Sequence, residues 1–205
     1  MDYQTALTRA NEIKELLAPN CQRIEIAGGI RRKKEEPHDI ELVAVPQFVA
    51  QVTLFDDSGP DVNTLDAMIH KFLENPASGL TRGDPDKAGK KAPCGPKYYR
   101  LKFKGEKLDV FSVIEPAQWG TVFLIRTGDA DFSHWFVTRL WKFGLKSVDG
   151  HIENSKGETI PTSEEYEAFA ACGLDFVEPE NRNMQWITNF EASSKVQLER
   201  VLRMK

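Results

Sequence analysis

Cysteine is scarce in this chain of 205 residues. Its three copies, Cys21, Cys94 and Cys172, are odd in number, far apart and in no CxxC pair. That excludes a disulfide framework and a cysteine-based zinc site, and leaves three small, buried or half-buried side chains. Long apolar runs are missing too: none comes near the roughly 20 residues of a membrane-spanning helix. The first residues, MDYQTALTRANEIK, are acidic and polar where a secretory leader has a basic end and an apolar stretch. An intracellular, cytoplasmic chain with no membrane partner is expected. Internal repeats and low-complexity tracts are absent as well, and no obligate protein partner is implied.

What remains is an ordinary globular composition, 40% hydrophobic and 28% charged. The length allows one domain, or two small subdomains sharing a core. The net charge of -4 argues against a nucleic-acid partner until its distribution is considered. Residues 82–107 hold nine Lys/Arg against three Asp/Glu, and residues 145–182 hold three against nine. A chain polarised this way can turn a basic face to phosphates while staying acidic overall. A solvated lysine-rich loop accounts for the same numbers.

Ala6, Leu7, Ala10, Ile13, Leu16 and Leu17 recur at helical spacing, with Pro19 and Asn20 as a stop. A short strand over 23–27 breaks at Gly28 and Gly29, and residues 39–45 alternate as a strand that Pro46 closes. Residues 63–74 read as a second helix and 78–96, rich in Gly, Pro, Asp and Lys, as a loop. Two strands, 98–103 and 107–114, follow around the turn Lys104, Gly105 and Glu106. In the second, Leu108, Val110 and Ser112 face one way, and Lys107, Asp109 and Phe111 the other. Residues 121–126 suit either a strand or a helix start. A helix over 132–143 ends at Gly144, and strands and turns occupy 146–159. An acidic helix start at 162–165 runs to Cys172 and stops at Gly173. A final helix closes the chain, with ERVLRMK as its end.

Five acidic pairs have the spacing Asp/Glu-x-Asp/Glu, but only Asp39/Glu41 sits on an apolar strand, where a period of two puts both carboxylates on one face. Such neighbours repel, and burying them unpaired is costly, so a cation between them is expected. Hard oxygen ligands suit Mg²⁺, and Asp109, which also interrupts an apolar strand, is the natural third ligand. Gly28 and Gly29, between a strand and a helix start, would let backbone N–H groups approach an anion. Of Arg31 and Arg32, one would meet phosphates while the other stays in solvent.

The segment AGGIRRKKEEPHDIELVA resembles the nucleotidyltransferase signature: Gly with Gly or Ser, nine residues, then Asp-x-Asp or Asp-x-Glu. KLDVFSVIEPAQWGTVFLIRTGDADFS and GETIPTSEEYEAFAACGLDFVEPENRN narrow the match to the DNA polymerase X family, the polymerase beta relatives. The likeness spans roughly residues 24–45 and 98–182, in the family's order. It implies an α+β fold: a nucleotidyltransferase palm over 1–115, a small C-terminal α/β nucleotide-selecting subdomain over 116–183, and an appended segment, 184–205. It further implies two ions, Mg²⁺ or Mn²⁺. Asp39 and Glu41 would hold the nucleotide-bound one; both, with Asp109 nearest the attacking 3′-hydroxyl, would share the second. Gly28, Gly29 and Arg32 would bind the triphosphate, and Thr127 and Gly128 the sugar, with a cis peptide after the glycine.

There are departures from the family pattern. Glu41 stands where polymerases more often have Asp, and Ile125 with Arg126 replaces a Tyr-Phe pair that checks the sugar. Arg126 would contact a phosphate or base, or point into solvent. The family's DNA-gripping and lyase domains have no room before the palm. Lys87, Lys90 and Lys91, in the loop between the carboxylate strands, would follow a nucleic-acid backbone. His38 reads as a surface histidine, and His134 as packed with Trp135. Trp119, Trp135, Phe136 and Trp141 read as core aromatics. The activity implied is transfer of a (d)NMP from a (d)NTP to a 3′-hydroxyl, with gapped or primer-template DNA favoured. The alternatives are a template-independent transferase acting on RNA, protein or a small molecule, and a nucleotide-binding module without chemistry.

Overall fold

The computed structural model describes residues 1–50 and 61–203, with side chains up to residue 195. Helix α1 (Tyr3–Leu17) begins where the Asp2 side chain accepts the Thr5 backbone N–H. Ala6, Ala10, Ile13 and Leu17 form its buried stripe, while Leu16 is exposed. Strand β1 (Cys21–Ile26), a single-turn helix α2 (Gly28–Arg31) and strand β2 (Ile40–Pro46) follow. The short strands β3 (Phe48–Val49) and β4 (Val62–Asn63) pair with each other, and Asn63 then caps α3 (Thr64–Glu74). Strands β5 (Leu80–Arg82), β6 (Cys94–Gly95), β7 (Tyr98–Phe103) and β8 (Glu106–Ser112) complete a six-stranded sheet of order β1-β2-β8-β7-β5, with β6 beside β7.

Beyond the sheet come α4 (Trp119–Thr127), α5 (Ala130–Leu140), the small strands β9 (Lys146–Val148), β10 (His151–Glu153) and β11 (Thr159–Ile160), α6 (Glu165–Ala171) and α7 (Met184–Arg203). The span 78–96, expected as a loop, contains β5 and β6; both are too short, and too full of Gly and Pro neighbours, to show an alternating pattern. The ambiguous stretch 121–126 is helical. Trp119, Thr121, Phe123, Leu124 and Thr127 are all buried and Arg126 alone is exposed, so α4 has too little polar face to reveal its period.

Period-two alternation organises the central strands. Ile40, Leu42 and Ala44 on β2, with Leu108 and Val110 on β8, point into a core covered by α1 and α3. Their neighbours Val43, Val45 and Phe111 face the other way, against Trp119 and Phe123 of α4. Helix α4 therefore roofs the far ends of β2 and β8. Asp39, Glu41 and Asp109 lie on the same sheet face before that roof begins. Gly120 makes the roof possible: a Cβ there would stand 2.1 Å from the Glu164 carbonyl oxygen, and its N–H donates to the Thr162 carbonyl at 2.6 Å.

A separate core joins Leu124, Phe132, Phe136, Leu140, Ala168 and Phe169. The start of α7 belongs to it: Ile187 is buried there, and Trp186 and Phe190 pack against Trp135. Trp119 and Phe136 are core aromatics, but Trp141 is exposed, because the chain has left α5 for a 3₁₀ turn that ends at Gly144 in the left-handed region. His134 is exposed as well, although its neighbour Trp135 packs. The ERVLRMK side chains and residues 204–205 lie outside the described residues. Among the described residues no peptide bond is cis, including the one after Gly128, and no helix is long and apolar enough to cross a membrane.

Candidate active site

Parallel pairing of β2 with β8 places Glu41 opposite Asp109, and Asp39 precedes Glu41 by the two residues that keep it on the same face. All three are partly buried. The Glu41 carboxyl is pushed up to about 7, first by burial and next by the Asp39 carboxylate. Arg32 pulls it back, Asp109 adds to the rise, and Arg126 opposes it. Three carboxylates and two guanidinium groups thus share one electrostatic neighbourhood.

Gly28 adopts φ +61°, and the Glu41 carboxylate lies so close that an added Cβ would sit 1.7 Å from its Oε2. Only glycine meets both conditions. Gly29 is buried too, but a Cβ there would make ordinary contacts of 3.7 Å. Asp109 is held from the neighbouring strand: its Oδ1 accepts the Tyr98 hydroxyl at 2.8 Å and the Arg100 Nε–H at 3.2 Å. Asp39 and Asp109 line a cleft of about 510 Å³ together with Lys90, Lys91, Arg100 and Lys107. Lys87 is exposed and outside that lining. Arg126 is exposed, stacks over the Phe111 ring at 3.9 Å, and lines a second cavity near His151. His38 is exposed.

The two adjacent arginines diverge differently from expectation. Neither is left to solvent. Arg31 forms a fork with Glu165, Nη1 to Oε1 at 2.8 Å and Nη2 to Oε2 at 2.6 Å, and also donates to Thr127 Oγ1 at 2.7 Å. Arg32 donates to the Thr127 carbonyl at 2.6 Å. Thr127 is fully buried and both its oxygens accept from these arginines, while Gly128 is half-buried. Arg182, 0% exposed, donates to the same Glu165 at 2.5 Å. Burial raises the Glu165 pKa, but hydrogen bonds from Arg31 and Arg182 outweigh it, and the net shift is downward.

The donor set suits a hard divalent cation: carboxylate oxygens that repel one another on one face of the sheet. Yet no group of three or more His, Cys, Asp or Glu among the described residues stands as a formed metal cluster. The side chains explain why. Glu41 lies on the glycine turn, and Asp109 is engaged by Tyr98 and Arg100.

Tyr98, Arg100, Glu165 and Arg182 were not singled out from sequence. A signal for the first two was present. Lys104 and Gly105 form a tight turn with φ of 49° and 89°, and counting back from it pairs Arg100 with Asp109 and Tyr98 with Phe111.

The six-stranded sheet, its roofing helix and the helical core beyond define an α+β fold of the polymerase beta-like kind. In particular, the chain is similar to Leishmania infantum polymerase beta, solved as a ternary P/T complex, with a TM-score of 0.63 and 16% identity. The match covers 89% of this chain and 76% of that one. No protein-family model matches the chain, and no curated protein does.

Proposed function

We propose that this chain is a polymerase X-like nucleotidyltransferase with a palm over 1–115, a nucleotide-selecting subdomain over 116–183 and an appended segment, 184–205. It transfers a (d)NMP from a (d)NTP to a 3′-hydroxyl in gap filling or repair, with gapped or nicked DNA as the favoured acceptor. The observation that carries this reading is Glu41 beside Asp109 on parallel strands, with Asp39 on the same face, and Asp39 and Asp109 in a cleft whose wall also carries Lys90, Lys91, Arg100, Lys102 and Lys107 alongside Asp84 and Asp86.

Mg²⁺ or Mn²⁺, as two ions held by Asp39 and Glu41 with Asp109 sharing the second, would supply charge stabilisation for the attacking and leaving oxygens. The chain's own residues do the rest. Asp109 faces the acceptor in the cleft and takes the hydroxyl proton as the 3′-oxygen bonds to the α-phosphorus; the α–β bridge breaks and pyrophosphate leaves. Lys90, Lys91 and Lys107 neutralise acceptor phosphates along the cleft, and Lys87 joins them at its exposed rim. Gly28 and Gly29 give the triphosphate a close approach to backbone. Arg32 and Arg126, whose charges already act on Glu41, supply the positive field where it arrives. Thr127 contributes by fixing Arg31 and Arg32, and Gly128 by bordering the sugar.

The test is a gel assay of labelled gapped DNA, primer-template and RNA with each NTP and dNTP, with and without Mg²⁺, for wild type and Asp39→Ala. Metal-dependent, template-directed extension of DNA by wild type alone is expected, with both proteins equally folded by circular dichroism. Extension that ignores the template base selects the template-independent transferase, and nucleotide binding without product selects the binding module. Equal activity in the two proteins ends the proposal.

A further inference from the structure

Strand β7 presents two donors to one oxygen of Asp109, and they differ in kind. Tyr98 is neutral and fixed. Its ring stacks on Phe111 at 4.8 Å between centroids and 7° between planes, and the strand register places those two residues opposite each other. A phenol keeps its proton at neutral pH, so Tyr98 donates to Asp109 Oδ1. Arg100 is charged and more exposed. Its side chain is 54% exposed against 16% for Asp109, and it lies in the cleft wall with Lys90, Lys91 and Lys107. Its guanidinium sets a positive charge against Asp109 Oδ1.

We infer that Tyr98 is a positioning residue that orients Asp109 for a divalent cation, whereas Arg100 is an internal counter-ion that the cation must displace. The inference rests on the metal-dependent reading above and deepens it. A fixed neutral donor holds the carboxylate in one orientation and leaves its second oxygen available, as outer partners of metal ligands do. A guanidinium on the same oxygen satisfies the carboxylate electrostatically and competes with any incoming cation. Released, Arg100 remains in the cleft, where an acceptor phosphate is its next available partner.

The two donors therefore have opposite signs in one measurement: Mn²⁺ binding to the full chain without nucleotide, followed through the electron paramagnetic resonance signal of free Mn²⁺. Arg100→Gln binds about threefold to fivefold tighter than wild type, the upper scale of a partly exposed ion pair removed. Tyr98→Phe, which keeps the stack on Phe111, binds about tenfold weaker. Arg100→Lys, which keeps the charge, stays within about twofold of wild type. An Arg100→Gln affinity equal to or below wild type overturns the counter-ion role, and a Tyr98→Phe affinity equal to or above it overturns the positioning role. If wild type binds no Mn²⁺, or Asp39→Ala binds as wild type does, the metal-dependent reading fails and takes this inference with it.

Discussion

Replacing Glu165 by Gln should destabilise the protein more than any other single loss of charge around the site. Glu165 is 7% exposed at its side chain and accepts three N–H groups from two arginines. Gln keeps the shape but removes the charge, and turns an NH₂ group toward guanidinium donors. Arg182, 0% exposed, is then a buried cation without its counter-ion. Breaking one side of a buried pair costs about 3–5 kcal/mol. The low end applies because Arg31 is 21% exposed and can recruit water. For a chain of this size each kcal/mol moves Tm by about 2–4 °C, so a fall of roughly 10 °C is expected in calorimetry at pH 7. The pH dependence has a definite sign. Because the folded-state pKa lies below the ordinary glutamate value of 4.5, the stabilisation is complete above about pH 4.5. It is lost as pH falls through the folded value, so the gap between wild type and Glu165→Gln narrows in acid. A gap under about 1 kcal/mol at pH 7, or one that does not narrow in acid, would refute the reasoning.

Gly28→Ala should cost roughly 1–2 kcal/mol through its left-handed backbone and displace the Glu41 carboxylate, whereas Gly29→Ala stays within about 0.5 kcal/mol of wild type; paired urea melts separate them. Gly120→Ala drives a Cβ into the Glu164 backbone, and a loss of about 3 kcal/mol or more is expected in the same melts. If Lys90 and Lys91 track acceptor phosphates, replacing both with Ala should weaken DNA binding evenly across sequences. The slope of log affinity against log salt, measured by fluorescence anisotropy, should then fall by about 2.

Much of the fold was legible because its elements obey local rules. The α1 stripe, the helix beginning at residue 63 and the glycine stop at residue 144 each carry their signal within a few residues. The Asp39/Glu41 strand was legible for the same reason, two charges in an apolar alternation. What stayed hidden depends on distant partners. Glu165 reads as an acid in a helix's first turn, a reasonable dipole partner, until Arg31, 134 residues away, is brought against it. Arg31 and Arg32 are adjacent in sequence, and nothing local says that neither of them stays in solvent. Helix α4 buries two of its threonines with its apolar residues and exposes only Arg126, which leaves almost no polar face for periodicity to reveal. The state of Asp109 could be derived only by carrying the hairpin register across the turn to Arg100.

The most direct measurement is a crystal structure of the full chain with Mn²⁺ and a non-hydrolysable nucleoside triphosphate, with the metal located by anomalous scattering. Peaks ligated by Asp39, Glu41 and Asp109, with the triphosphate at Gly28 and Arg100 withdrawn from Asp109, are the expected result. Nucleotide bound with no metal at these three carboxylates, and Arg100 still on Asp109, would contradict it.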